Sequence, residues 1–371
     1  NCRIRIEDSQ NPTNSDTSQA FNVYTPTITV VNPNTNIKLL AGKSYTIAWN
    51  KQYVTNVKIE YSTNGGSNWK LIASPQAGTS YVWNIPFDTT NNAKIKITDL
   101  SDTTIYDISD LPFTISSIKF NSPLGGEVTQ VNKTFIIKWK TSFIDKIKID
   151  YTTNGTNWFE IVNNYDANVG SYSWVVPTYS TSLKFRIYDA DNLSNYVESN
   201  AITSANIVVT NPLGGEIFQS GNNIKIKWTS QNINNVKLEY SLDNGITWLT
   251  IANSIPAALG GVGYDWSVDT SIASRKCLIR ISDENYSSVH SIPNSVFKIG
   301  NILLLSPNGG EIRQNYSVDT IKWYNKNSTS NVKLYYSTNN GTNWNLITTL
   351  TTNPYGGQYI WNPNISNPTT N

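Results

Sequence analysis

Methionine is missing from the 371 residues, histidine occurs once, and cysteine occurs twice. Charged side chains make up 15%, against ~25% in ordinary soluble domains. No apolar run approaches the ~20 residues of a membrane-spanning helix, and no Gly/Ser-rich tether of the flexible-linker kind occurs. Each scarcity excludes something. With a net charge of +2, the chain has no clustered basic face of the sort a nucleic-acid partner requires. The single histidine, His290, lies in the loop-like stretch Ser287-Ser288-Val289-His290-Ser291, whereas a Ser-His-Asp site needs an imidazole buried and oriented by a carboxylate. Two cysteines with no other ligands nearby make no metal cluster. The lack of methionine leads us to expect a processed chain or an internal segment.

Tryptophan dominates what is present. Its twelve copies form three sets: Trp49, Trp139, Trp228 and Trp323; Trp69, Trp158, Trp248 and Trp344; Trp83, Trp174, Trp266 and Trp361. The first set is spaced by 90, 89 and 95 residues. That period exceeds those of propeller blades and helical solenoids and suits an immunoglobulin-sized β-sandwich of ~100 residues. Within each period a stretch alternates apolar and polar residues, as in Val57-Lys58-Ile59-Glu60-Tyr61, Ile147-Lys148-Ile149-Asp150-Tyr151, Val236-Lys237-Leu238-Glu239-Tyr240 and, more loosely, Val332-Lys333-Leu334-Tyr335-Tyr336. A period of two marks a half-buried strand. Asn/Gly turns follow, suited to left-handed backbone angles, and no stretch has helical periodicity with caps. The sequence therefore predicts an all-β fold: tandem immunoglobulin/fibronectin III-like β-sandwiches. Most tryptophans are expected in their cores, since each ring can bury ~150–250 Å². Sugar stacking on the hairpin set Trp69, Trp158, Trp248 and Trp344 is the alternative.

Domains are expected at 27–116, 117–206 and 207–299, with an incomplete one at 300–371. Linkers are short, as where Phe113-Thr114-Ile115-Ser116-Ser117 runs into Ile118-Lys119-Phe120. Such joints predict end-to-end stacking in a rod or filament. Residues 1–26 resemble the strand pair that 300–371 lacks: Cys2-Arg3-Ile4-Arg5-Ile6-Glu7-Asp8 parallels Ala93-Lys94-Ile95-Lys96-Ile97-Thr98-Asp99. We therefore expect 1–26 to complete a 300–371 domain head to tail. Three routes remain open: a peptide bond to an adjoining repeat of one giant chain, strand exchange between subunits, or a closed ring of four domains, for which the stiff linkers would have to curve. Cys2 and Cys277 occupy equivalent places and are expected to be buried free thiols acting as small hydrophobes.

Three motifs repeat: Ser122-Pro123-Leu124-Gly125-Gly126-Glu127, Asn211-Pro212-Leu213-Gly214-Gly215-Glu216 and Ser306-Pro307-Asn308-Gly309-Gly310-Glu311. With the Tyr-Ser-Xaa-Asn/Asp-Gly-Xaa-Xaa-Trp hairpins, they make nearly the whole chain resemble the PNGGE-type immunoglobulin-like repeats of large microbial surface proteins. These look related to the Ser/Thr-rich GPI-anchored-type domain family. Asn32-Pro33-Asn34-Thr35-Asn36-Ile37 departs by lacking both glycines. The resemblance implies extracellular or cell-surface display, a stalk or adhesion role, contact with glycans or host surfaces, and no catalytic residues.

Other chemistry is thin, and neither an enzyme nor a cofactor is expected. A strand follows each Gly-Gly pair, whereas a phosphate-cradling loop precedes a helix. Glu127, Glu216 and Glu311 recur once per repeat, which suggests a turn contact and not a paired-carboxylate site. The hairpin Ser241-Leu242-Asp243-Asn244-Gly245-Ile246-Thr247-Trp248 resembles the Asp-box of sialidase-type propellers, a structural hairpin there. Asp8, Asp99, Asp189 and Asp283 each follow an alternating strand and read as turn caps. Calcium is the alternative, from Asp99, Asp102, Asp107 and Asp110 in one repeat and Asp189 with Asp191 in another, although it takes six to eight oxygen ligands. Asn-Xaa-Ser/Thr triplets such as Asn132-Lys133-Thr134 and Asn154-Gly155-Thr156 permit glycosylation.

Overall fold

A computed structural model describes residues 1–300, 302–325, 331–351 and 356–365. Among them the chain is nearly all β, with two short 3₁₀ turns, Ala167–Val169 and Ala257–Gly261. The described residues gather into two compact units, one of 1–127, 133–176 and 180–203, the other of 128–132, 177–179 and 204 onward.

The first unit holds a small hairpin, Arg5–Glu7 with Ser15–Thr17, and two sandwiches. In the 27–116 sandwich, one sheet orders Thr27–Asn32, Ser44–Gln52 and Ser80–Asn84. In the other, Val57–Ser62 lies between Lys70–Gln76 and Thr90–Asp99. Alternation explains the pairing: Val57, Ile59 and Tyr61 are buried while Lys58 and Glu60 between them face outward. Ile47, Trp49, Ile59, Ile95, Ile97 and Phe113 fill the space between the sheets. The strand Phe113–Ser122 is unbroken. Its start pairs with Thr90–Asp99 and its end with Thr134–Ser142 of the following sandwich. The expected boundary at 116/117 thus falls inside a shared strand. In that second sandwich Lys146–Thr152 lies between Phe159–Asp166 and Ser180–Asp189.

The first two sandwiches also share side chains. Leu40 of Lys38–Leu40 packs in the core around Ile137, Trp139 and Phe185. Lys38 Nζ lies 3.1 Å from the buried Asp189 carboxylate and 3.6 Å from Asp191. Asn195 Nδ2 donates to Lys38 O at 3.2 Å.

In the second unit, Asn235–Ser241 lies between Leu249–Pro256 and Ser274–Asp283. Asn223–Gln231 of the facing sheet pairs with Ile202–Asn211 and Tyr264–Ser267. Gln130 clasps the backbone of His290, donating from Nε2 to its carbonyl and accepting its N–H at Oε1. The exposed imidazole meets a loop carbonyl, Ser287 O, at 3.0 Å. The fourth element is smaller. Asp319–Asn325 pairs with Ile302–Ser306 and Gly357–Trp361, and Asn331–Tyr336 pairs with Asn345–Thr351. Its buried cluster is Ile321, Trp323, Val332 and Leu334.

The motif glutamates are turn contacts. Glu216 accepts the N–H groups of Leu213 and Gly214, each at 2.7 Å. Glu127 does the same for Leu124 and Gly125, and Glu311 for Asn308 and Gly309. The bond to Asn308 N–H leads in holding the Glu311 carboxyl below its usual range. The carboxylate closes the turn that admits each strand pair.

Candidate functional site

Two of the three tryptophan sets behave as expected. Trp49, Trp139, Trp228 and Trp323 are buried, as are Trp83 and Trp266, while Trp174 and Trp361 are partly covered at the edges of their cores. The hairpin set differs. Trp69, Trp158 and Trp248 are half-exposed on the outer face of their sheets, and Trp344 is 63% exposed.

The hairpins that place these rings are held by their own polar side chains. Ser241 Oγ accepts Gly245 N–H at 2.8 Å, and the Asp243 carboxylate accepts Thr247 N–H and Oγ1. Asn64 and Asn339 take the same part through their side-chain oxygens, with Asn68 and Asn343 N–H as donors at 2.9 Å. Hydrogen bonds from Thr247 pull the Asp243 carboxyl down to about 2. A depressed carboxyl contributes stability above its unfolded value of 3.8 and loses it as pH falls through about 2. Asp243→Asn, which keeps an acceptor but not the charge, is therefore expected to lower the melting temperature at pH 7 and to weaken its fall between pH 4 and 2, measured by calorimetry.

Above each of three hairpin rings lies a cation from the strand on the far side of the central one. Lys96 Nζ is 5.8 Å from the Trp69 centroid, and the guanidinium carbons of Arg186 and Arg280 are 3.9 and 4.4 Å from Trp158 and Trp248. Cations seek ring faces because of the aromatic quadrupole. In register these three residues face carboxylates: Glu60↔Lys96, Asp150↔Arg186 and Glu239↔Arg280. Each carboxylate also pairs with the lysine two residues before it on its own strand, as Lys58–Glu60, Lys148–Asp150 and Lys237–Glu239 at 3.1, 2.9 and 2.8 Å. Opposite those lysines stand uncharged residues, Thr98, Tyr188 and Ser282. One ring face is thus already occupied in each intact sandwich, which disfavours sugar stacking at Trp69, Trp158 and Trp248.

In the fourth element of the second unit this arrangement is open. Val57–Ser62, Lys146–Thr152 and Asn235–Ser241 each have a strand on both sides. Their counterpart is Asn331–Tyr336, and along 332–336 the described residues provide a partner on one side only. A cavity of about 530 Å³ runs there, lined by Leu304, Trp323, Val332, Leu334, Tyr335 and Trp344, among others. Tyr335 stands where the intact repeats carry Glu60, Asp150 and Glu239.

In the first unit, 1–26 forms by itself the hairpin found in every intact sandwich. Cys2 bridges Phe21, as Ala93 pairs with Phe113 and Cys277 with Phe297. Ser18 and Ile4 exchange a backbone bond and an Oγ bond, as do Ser109 with Ile95 and Ser199 with Phe185. Asp8 Oδ1 accepts Gln10 N–H as Asp99 accepts Ser101 N–H. Its environment differs. Ile4 and Ile6 are 65% and 73% exposed, whereas Ile95, Ile97, Phe185, Ile187, Ile279 and Ile281 are fully buried. Cys277 is buried, and burial pushes its thiol up to about 11. Cys2 is exposed, contrary to expectation, because no facing sheet covers its hairpin.

The aspartates proposed for calcium serve separate contacts. Asp99 caps Ser101, Asp102 caps Thr104, Asp107 accepts Val30 N–H and Asp110 meets Asn34. Asp189 and Asp191 share Lys38. Among the described residues no three His, Cys, Asp or Glu side chains converge. None of the described helical turns is long and apolar enough to cross a membrane. Sequence reasoning missed the charge cluster beside the hairpin tryptophans. Its signal was Tyr335 replacing the acid of the other repeats.

No protein-family model matches the chain, and no curated protein matches it in sequence. Solved structures similar to it include the fibronectin(III)-like modules of Clostridium thermocellum CbhA, at 18% identity over 48% of this chain and 94% of that one, with a TM-score of 0.19. The titin I-band fragment I67–I69 is 9% identical over 75% and 99% of the two chains, with a TM-score of 0.24. The eight N-terminal immunoglobulin domains of Down syndrome cell adhesion molecule give 11%, 93%, 58% and 0.22. The strand order and separate cores described above make the chain a tandem of immunoglobulin/fibronectin III-like sandwiches.

Proposed function

We propose that the chain is the structural repeat unit of an extracellular or cell-surface fibre. The hairpin of one copy completes the fourth sandwich of the next, whether consecutive copies share a peptide bond or not. One observation carries this reading: the hairpin exposes Ile4 and Ile6, the residues that intact sandwiches bury against the counterpart of Asn331–Tyr336. Strand addition supplies main-chain hydrogen bonds along an edge and pockets for alternate side chains. Burying each isoleucine contributes about 1.5–3 kcal/mol. Support for surface display comes from the PNGGE-type resemblance and the weakly charged exterior. A glycan-binding stalk is the second reading, but the cations over three of the four hairpin rings speak against it.

Sedimentation velocity of the full chain tests the proposal. Oligomers that grow with concentration are expected, and Ile6→Asp should shift them to monomer without changing the melting of the intact sandwiches. A wild-type chain that stays monomeric at about 100 μM, where even a weak pairing of roughly −6 kcal/mol would show, overturns it.

A further inference from the structure

We propose that the junction between copies is specified by a relocated charge: Glu7 of one copy faces Lys333 of the next, while Arg5 lies over Trp344 and beside Tyr335. This rests on the completion reading above and adds its register and selectivity.

The register follows from the intact sandwiches. Ile95, Lys96, Ile97 and Thr98 stand opposite Tyr61, Glu60, Ile59 and Lys58. The same offsets hold for Phe185 to Tyr188 against Tyr151 to Lys148, and for Ile279 to Ser282 against Tyr240 to Lys237. Transferred to the open edge, they place Ile4 opposite Tyr336, Arg5 opposite Tyr335, Ile6 opposite Leu334 and Glu7 opposite Lys333. Ile6 and Leu334 then meet on the core side, where strand alternation requires apolar residues. Arg5, Glu7, Lys333 and Tyr335 share the outer face.

Each intact sandwich carries the same outer-face pattern. Its central strand holds a lysine and an acid, and the strand opposite holds a cation and an uncharged residue. At the open edge the acid is replaced by Tyr335, which leaves Lys333 without the same-strand carboxylate of Lys58, Lys148 and Lys237. The hairpin carries the missing acid as Glu7, in the position of Thr98, Tyr188 and Ser282. Summed over the four positions, the charge is the same in both arrangements, but the acid has moved to the other strand. Opposite charges directly across a strand pair are favourable and like charges unfavourable. Within the free hairpin Arg5 and Glu7 pair with each other at 3.0 Å, both well exposed. Docking exchanges that contact for two new ones.

Selectivity follows. A hairpin with the pattern of residues 93–113 offers Thr98 to Lys333 and leaves the lysine unpaired. The hairpin of residues 1–26 alone brings a carboxylate to it. The open edge is therefore matched to this hairpin and discriminates against copies of the internal ones.

Reciprocal charge reversal in the full chain tests the inference, by sedimentation velocity across a concentration series. Glu7 and Lys333 are both exposed, so neither change disturbs a core. Glu7→Lys and Lys333→Glu should each weaken association about fivefold, and the double variant should restore most of it. Single variants that associate like wild type, or a double variant that does not recover, overturn the register while leaving head-to-tail completion intact. A wild-type chain that does not associate, or one whose association survives Ile6→Asp, removes the completion reading and this inference with it.

Discussion

Trp228→Ala is expected to lower the stability of the third sandwich by about 3–5 kcal/mol, the usual cost of deleting a buried large aromatic. Trp228 is 1% exposed and sits among Ile207, Ile226, Leu238 and Ile279. Its Nε1–H donates to Ala257 O at 3.0 Å, a carbonyl presented by the Ala257–Gly261 turn. Alanine removes the ring and one of that carbonyl's two donors, Ser230 Oγ remaining at 3.4 Å, so lost packing sets most of the penalty. For a domain of ~90 residues each kcal/mol shifts the midpoint by roughly 4–8 °C. One endotherm in a calorimetric scan should accordingly fall by about 12 °C or more, on the order set by the same scaling. Trp248→Ala in the same sandwich is the control. That half-exposed ring lies under Arg280 and outside the core, so its loss should cost about 1 kcal/mol. Equal effects at the two positions would contradict the assignment of inner and outer faces.

Gly214→Ala is expected to cost about 2–4 kcal/mol in the same sandwich, from backbone strain and overpacking combined. Gly214 has φ +111°, and a Cβ there would collide with the Cβ and carbonyl of Ser295. The adjacent Gly215 has φ +88° with open space around it, so Gly215→Ala should cost only about 1–2 kcal/mol for its left-handed backbone. Thermal or urea unfolding of the two variants separates these contributions. A larger loss at Gly215 would mean that close approach is not what the first glycine provides.

Much of this fold was legible in the residues. The alternation in Ile147-Lys148-Ile149-Asp150-Tyr151 could be read directly because a strand turns successive side chains to opposite faces. The spacing of Trp49, Trp139 and Trp228 set the repeat, and the recurrent Gly-Gly-Glu marked a turn that the structure closes with two N–H bonds to one carboxylate. Less legible were features that depend on partners distant in sequence. Trp248 and Trp266 are equally hydrophobic, yet one faces outward and the other lies in the core, since their strands differ in position within the sandwich. Leu40 reads as a residue of its own repeat, but its side chain enters the core of the next. Cys2 and Cys277 share a sequence environment and differ only in whether a facing sheet covers them.

The candidate site shows the same division. Arg5, Glu7, Lys333 and Tyr335 were visible as letters, but the exchange of charge among them emerged from cross-strand register, which no single segment contains. Local pattern therefore settles strand identity, turn chemistry and the number of repeats, because those depend on neighbours within a few residues. Which face a tryptophan presents, which sandwich a leucine joins and which edge is left open are settled by packing. Strands far apart in the chain must first come together before burial or charge can act between them.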